Sequence, residues 1–335
     1  MKKIISLALA MAMCLSVFTA CSQPAEEQTP EVTAATYAIA GMKGPTTIGM
    51  TKLMKDAEAN NADEAYTGNV YNVTMYGTAQ EINPLLIQGQ LDMAAVPANV
   101  AATLYAKTEG AVQVVAVNTL GVLYMVQTGD SVQSIADLKG KTIYTTGKGT
   151  TPEYTLRYIL AENGIDPDKD VTIEYKSEAT EVGALLAATD GEMVAMLPQP
   201  YVTAVMAQND KVTVCLDMTE EWGKVSDQRL ITGVMVARKE VIEANKDAFD
   251  QFLKDYTASA EYVVANVDEA AAWVTEYGIV AKEPLAKKAI PNCNITCVTG
   301  EEMKALVSNY CQVLFDRNPA AVGGAMPDDA FYYVG

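Results

Sequence analysis

Histidine is absent from all 335 residues. Its absence removes histidine-ligated metals, Ser-His and Cys-His nucleophile pairs, and the side chain whose ordinary pKa lies nearest neutrality. Arginine is scarce, with only Arg157, Arg229, Arg238 and Arg317, and 24 basic against 42 acidic residues leave a formal charge of −18. So acidic a balance opposes nucleic acid, and no nucleic-acid partner is expected. The six cysteines lack the spacing of a disulfide framework. Cys14 and Cys21 sit at the N-terminus, Cys293 and Cys297 are close enough for a local bridge, and a zinc site would need these two together with Cys215 and Cys311. Neither a metal nor a cofactor is expected. A nucleotide P-loop is missing as well, because neither Gly140-Lys141-Thr142 nor Gly147-Lys148-Gly149 completes the G-x-x-x-x-G-K-[ST] order.

What is present begins with Lys2 and Lys3, an uncharged apolar run from residue 4 to 20, and the ending Phe18-Thr19-Ala20-Cys21. This has the layout of a secretory signal over residues 1–20, and the run is at the short limit for spanning a bilayer. The cysteine after the cut resembles the lipobox of bacterial lipoproteins, although Phe18 stands where leucine is usual. That resemblance implies lipid on Cys21 and a place on the extracytoplasmic face of the cell membrane, held by the anchor. Residues 21–33 are polar, acidic and proline-bearing, so they read as a flexible tether.

The stretch from Ile143 to Leu160 organises the rest. A β-rich run ends in Gly147-Lys148-Gly149, and Thr150, Pro152 and Glu153 then mark a helix start with capping-box spacing. Strand, glycine loop and helix N-terminus together make a cradle of backbone N–H groups suited to a negative ligand atom. In this reading Gly149 offers its N–H and Lys148 points to solvent. An earlier version, Met42-Lys43-Gly44-Pro45-Thr46-Thr47, leads into a second helical pattern.

From residue 36 short apolar runs alternate with helical ones, the pattern of an α/β sheet protein. Strands are expected at 36–40, 71–76, 93–96, 112–118, 122–127, 142–145, 171–175, 193–196, 212–216 and 234–237. Strand signals stop after Lys239, and helices follow. The chain also repeats: Ala79, Glu81, Ile82, Leu85 and Leu86 answer Ala179, Glu181, Val182, Leu185 and Leu186, and Gly89 to Pro97 answers Gly191 to Pro198. Two similarly built lobes follow, one from residues 34–118 and 233–335, the other from 119–232, with a ligand cleft between them at the carboxyl ends of the parallel strands. The chain crosses twice, near residues 118–122 and 229–233, and two crossings make a hinge. Glu81 and Glu181 sit symmetrically, as helix caps would. Tyr201 and Trp222 have rings able to stack on a planar ligand, and Arg229, beside the second crossing, suits an anionic group.

With the lipobox, the segment from Ser134 to Ile143 and Leu197-Pro198-Gln199-Pro200-Tyr201, the chain resembles substrate-binding lipoproteins of ABC importers, in the group that binds nitrate, sulfonates, taurine and thiamine-pyrimidine precursors. The resemblance implies a two-lobed, type II periplasmic-binding fold, closure on one small molecule, and delivery to a permease and its ATPase. Carried onto matching positions, it implies ligand contacts at Gly44, Pro45, Thr46, Thr78, Asn99, Gly149, Thr150, Thr151, Gln199 and Tyr201. The cysteine-rich motif of the pyrimidine-synthesising relatives is missing. The expected molecule is a monomer and no enzyme. A lipoprotein that senses a ligand and reports to a membrane receptor is the alternative, and an enzyme on the same scaffold is a third reading. Sulfonate, carboxylate and neutral pyrimidine all stay open as ligands.

Overall fold

The alternating pattern folds into two sheets flanked by helices. The computed structural model describes residues 33–335, so the signal at 1–20, Cys21 and the tether as far as residue 32 lie outside the described residues. First come β1 (Thr36–Met42), α1 (Pro45–Ile48), α2 (Thr51–Asn60), β2 (Val70–Tyr76), α3 (Ala79–Ile87), β3 (Met93–Pro97), α4 (Ala98–Lys107) and β4 (Val112–Leu120). The second group is β5 (Leu123–Thr128), β6 (Thr142–Thr145), α5 (Thr151–Glu162), β7 (Thr172–Tyr175), α6 (Ala179–Ala188), β8 (Met193–Pro198), α7 (Tyr201–Met206), β9 (Val212–Asp217) and α8 (Met218–Val225). The chain returns through β10 (Ile231–Arg238) to α9 (Lys239–Ala244), α10 (Lys246–Ala265), α11 (Val267–Glu276), α12 (Glu283–Ala289), β11 (Ile295–Val298) and α13 (Gly300–Arg317). Among the described residues no helix is long and apolar enough to cross a membrane.

The sheets run β11-β4-β10-β3-β1-β2 and β7-β6-β8-β5-β9. In each, three parallel strands (β2-β1-β3, β7-β6-β8) are followed by one antiparallel strand, β10 or β5. A last strand, β4 or β9, pairs antiparallel with that one. Apart from the edge strand β11 the two sheets share one topology, as the repeated sequence leads one to expect. Every residue of β3 is buried, which fits a parallel strand covered by helices on both faces.

The first crossing runs through Gly121 and Val122, where a Cβ on Gly121 would stand 2.2 Å from Thr219 Oγ1, so only glycine fits. Strand β11 departs from the sequence reading, which placed no strand after Lys239. It has four half-buried residues paired with β4 through an irregular register, too short to leave a periodic signal.

One apolar core contains residues of both lobes and of α13. Within it Trp222 lies between Tyr158 and Tyr310, with ring centroids 4.6 Å and 5.9 Å away, and its Nε1 donates to Gln228 O at 2.7 Å. Trp222→Ala removes a fully buried ring at this seam and is expected to cost about 3–5 kcal/mol of stability. Urea denaturation checks this, and a loss under about 1 kcal/mol would mean that the seam repacks around the gap.

Candidate ligand site

A cavity of about 640 Å³ opens between the lobes, within the range of small-molecule sites. The first lobe lines it with Met42, Lys43, Pro45 and Thr46, residues 77–80, Pro97, Thr232 and the turn 278–281, and the second with Leu123, Thr146, Gly147, Lys148, Thr150 and Pro152, residues 176–180, Pro198, Pro200 and α7. Four glycine or polar loops that precede helices converge here, because the parallel strands of both sheets end at the cleft.

The helix N-termini at the cleft carry carboxylates of their own. Glu81 Oε2 accepts from Thr78 N at 2.8 Å and from Thr78 Oγ1 at 3.1 Å. Glu181 Oε2 accepts from Ser177 N at 3.1 Å, and Glu153 Oε2 accepts from Gly149 N at 2.5 Å. Each of α3, α5 and α6 thus carries a glutamate three residues past its N-cap that turns back onto a free N–H, so the dipole is met by the chain's own charge. Glu81 and Glu181 act as the symmetric caps expected from the repeat. The Thr150–Glu153 box forms differently: Thr150 Oγ1 donates to Gly147 O at 2.6 Å, and Glu153 takes the Gly149 N–H instead.

The sequence-derived residues divide into three groups. Pro45, Thr46, Thr78, Thr150 and Tyr201 line the cavity. Tyr201 joins the lobes by donating to Lys43 O at 3.4 Å, and burial with the nearby Glu178 charge pushes its hydroxyl up to about 12, so at neutral pH it is a donor. Gly44, Asn99, Gly149, Thr151 and Gln199 are not in the lining. Asn99 Nδ2 donates across the lobes to Gly149 O at 3.2 Å and also to Ala321 O at 3.2 Å, while Thr151 Oγ1 donates to Asn99 Oδ1 at 3.4 Å. Gln199 Oε1 accepts from Thr203 N and Oγ1 and so braces α7. Gly44 turns the chain between the lining residues Lys43 and Pro45.

Trp222 and Arg229 lie away from the cavity. Trp222 is held in the core by its two ring neighbours, and Arg229 is exposed on the return crossing. The cradle reading needs correction at Gly149, while Lys148 is exposed as expected and also reaches the cavity. The Gly149 N–H is spent on Glu153, whereas Lys148 is in the cavity lining with Nζ 5.7 Å from the centre of the Tyr175 ring.

Sequence reasoning also missed Lys43, Lys176, Glu178, Thr232 and the turn bearing Ile279 and Val280. For the lysines a signal existed, since Lys43-Gly44 and Lys148-Gly149 occupy equivalent loops of the repeat. Thr232 and the 278–281 turn carried none, one being a residue in an apolar strand and the other a break between helices. Among the described residues no group of three or more acidic or cysteine side chains is placed to hold a metal.

A family model described as menaquinone biosynthesis matches residues 66–295. No curated protein gives a sequence match. Among solved structures, an ABC transporter from Parabacteroides distasonis is 22% identical with a TM-score of 0.71, covering 90% of this chain and 99% of that one. The periplasmic aliphatic sulphonate binding protein SsuA from Escherichia coli is 15% identical with a TM-score of 0.69, covering 89% and 95%. The periplasmic nitrate-binding protein NrtA from Synechocystis PCC 6803 is 14% identical with a TM-score of 0.56, covering 78% and 69%. At these identities the likeness is one of fold, the two-lobed type II periplasmic-binding architecture.

The Glu81 cap has a pH signature. The Thr78 backbone N–H, and then the Thr78 hydroxyl, hold its carboxyl below the usual carboxylate range. A folded-state pKa lowered in this way adds stability above the unfolded value, lost as the pH falls through the folded value. Glu81→Gln cannot titrate, so the stability gap between wild type and variant is expected to be widest at neutral pH and to close on acidification. Urea denaturation from pH 7 to about pH 3 reads the gap. A gap independent of pH would show that the carboxylate charge contributes nothing to the cap.

Proposed function

The chain belongs to the menaquinone-biosynthesis family and has a type II periplasmic-binding fold, and from that premise we propose that it is an extracytoplasmic solute-binding lipoprotein of an ABC importer. It captures a small organic molecule between its lobes and hands it to a permease driven by an ATPase. It works as a monomer tethered through Cys21 to the outer face of the cell membrane. The observation that carries this reading is the cleft itself, one cavity of about 640 Å³ to which both lobes contribute walls. The related structures, an ABC transporter and sulphonate- and nitrate-binding proteins, agree with it.

The family is one of menaquinone biosynthesis, so a reaction in the cleft is the second reading. Capture is favoured over turnover by the lining, which offers threonines, lysines, Tyr201 and Glu178 with no thiol among them. The cysteines among the described residues lie elsewhere, and burial pushes the Cys215 thiol up to about 11 and that of Cys311 up to about 12, away from nucleophilic range. A sensor that reports to a membrane receptor would use the same cleft and differ only in its partner.

Protein purified without refolding is expected to release one small molecule, unchanged in mass, when native mass spectrometry is followed by denaturation. Release of a converted product, or conversion of the recovered molecule on incubation with fresh protein, would make the enzyme reading the better one. For the anchor, metabolic labelling with a fatty-acid analogue is expected to mark the wild type and to disappear in Cys21→Ala. Label kept by the alanine variant would remove the lipoprotein assignment.

A further inference from the structure

Two residues of the cavity wall bury hydroxyls that have no partner. Thr46 and Thr232 are 2% and 6% exposed, and neither Oγ1 makes a hydrogen bond. Asn118 Nδ2 is a third unpartnered group, close by on the other side of Gly233, where a Cβ would meet Thr46 Cγ2 at 2.4 Å and Asn118 Oδ1 at 2.5 Å. Buried polar atoms are paired in stable proteins, so an occupant that hydrogen-bonds to these threonines removes a standing cost. None of the three groups is charged. Among the described residues the one buried charged side chain is Glu221, which pairs with Lys224 on α8. An anion seated on the threonines would therefore be desolvated without a counter-charge.

The cations stand at the solvent edge. Lys43 and Lys148 are exposed and Lys176 is half-buried. Other lysines of the second lobe, Lys139, Lys141 and Lys169, have carboxylate partners, whereas among the described residues these three have none. Lys148 and Lys176 are steadied over the rings of Tyr175 and Tyr144, each at 5.7 Å. Glu178 is the one acid in the lining. At the helix starts Glu81, Glu153 and Glu181 accept from the N–H groups of Thr78, Gly149 and Ser177, which places a carboxylate beside each N-terminus and opposes its pull on an anion.

Resting on the capture reading above, we propose that the ligand is an organic anion bound neutral end first. An uncharged hydrogen-bonding group (hydroxyl, carbonyl or amide) sits on Thr46 and Thr232 at the floor. An apolar body fills the cavity against its prolines and Ile279, and the anionic group stays outermost among Lys43, Lys148 and Lys176. This orientation sets two separate specificity filters at two depths.

Calorimetry with para-hydroxyphenylacetate, phenylacetate, para-hydroxyphenylacetamide and sulfate tests it. The hydroxy acid is expected to bind best, with loss of either the hydroxyl or the charge costing about tenfold or more in affinity. Thr46→Val with Thr232→Val should erase the preference for the hydroxy acid over phenylacetate and keep the preference for acid over amide. Lys148→Gln with Lys176→Gln should do the reverse. Thr46→Ser with Thr232→Ser keeps both hydroxyls and should restore the first preference, which separates lost contacts from a disturbed fold. The proposal is overturned if sulfate competes equally, if the amide binds as well as the acid, or if the threonine variants abolish the charge preference. It is also overturned if the molecule released from native protein is neutral or an inorganic ion. Failure of every probe together with an empty native protein would instead sink the capture reading.

Discussion

Each sheet is completed by a strand that has just crossed from the other lobe. β5 inserts between β8 and β9, and β10 inserts between β3 and β4, both antiparallel to their neighbours. Neither sheet has its full ladder until the chain has crossed, so the two crossings are built into the order of both sheets. The exchange also places the cleft, because the parallel strands of both lobes then end facing one another. The backbone passes so close to its surroundings at the crossings that side chains are excluded at Gly121, against Thr219, and at Gly233, against Thr46 and Asn118. At Gly233 this closeness brings Thr46 to the floor of the cavity next to Thr232.

The repeated glutamates then shape what the cleft can recognise. A helix N-terminus attracts anions through unsatisfied N–H groups, and the field falls off within the first turn. In α3, α5 and α6 a carboxylate from the helix itself occupies that place, at Glu81, Glu153 and Glu181. In a chain with a formal charge of −18, the lysines that lack partners at the cavity edge therefore provide the local positive field.

Much of the fold was legible because two periodicities carry it. The apolar runs that became β1 to β10 are bounded by glycine and polar turns, and the correspondence of Glu81 with Glu181 and of Pro97 with Pro198 made the second sheet a copy of the first. The edge strand β11 was not legible, since four half-buried residues beside a helix leave no period. At the site, loop positions were readable and side-chain directions were not. Gly149 and Lys148 are neighbours in the right loop, but which of them faces the cavity depends on where Glu153 turns, a fact of three dimensions. Trp222 and Arg229 have functional side-chain types in a segment close to the crossing, and tertiary packing sent one to the core and left the other in solvent. Thr232 gave no sign, because a threonine inside an apolar strand is ordinary until its hydroxyl proves to lack a partner.

The two sides of the cleft differ in what holds them together. Behind it, α13 packs on the first sheet while Tyr310 meets Trp222 of the second lobe, and the buried amide of Asn99 reaches Gly149 O. Parting that side would open a close-packed apolar seam and strand a buried amide, both costly steps. At the mouth the joining contacts are polar and near solvent, as in the Tyr201–Lys43 bond and the approach of the Glu178 carboxylate to Gly77. Water replaces such contacts at little cost. On the capture reading proposed above, the seam would be the fixed edge of an opening and the mouth its free edge, with the lysines on the free side. A charge held there closes the gap it bridges, whereas a group on Thr46 and Thr232 binds near the crossing strands, where the distance between lobes changes least.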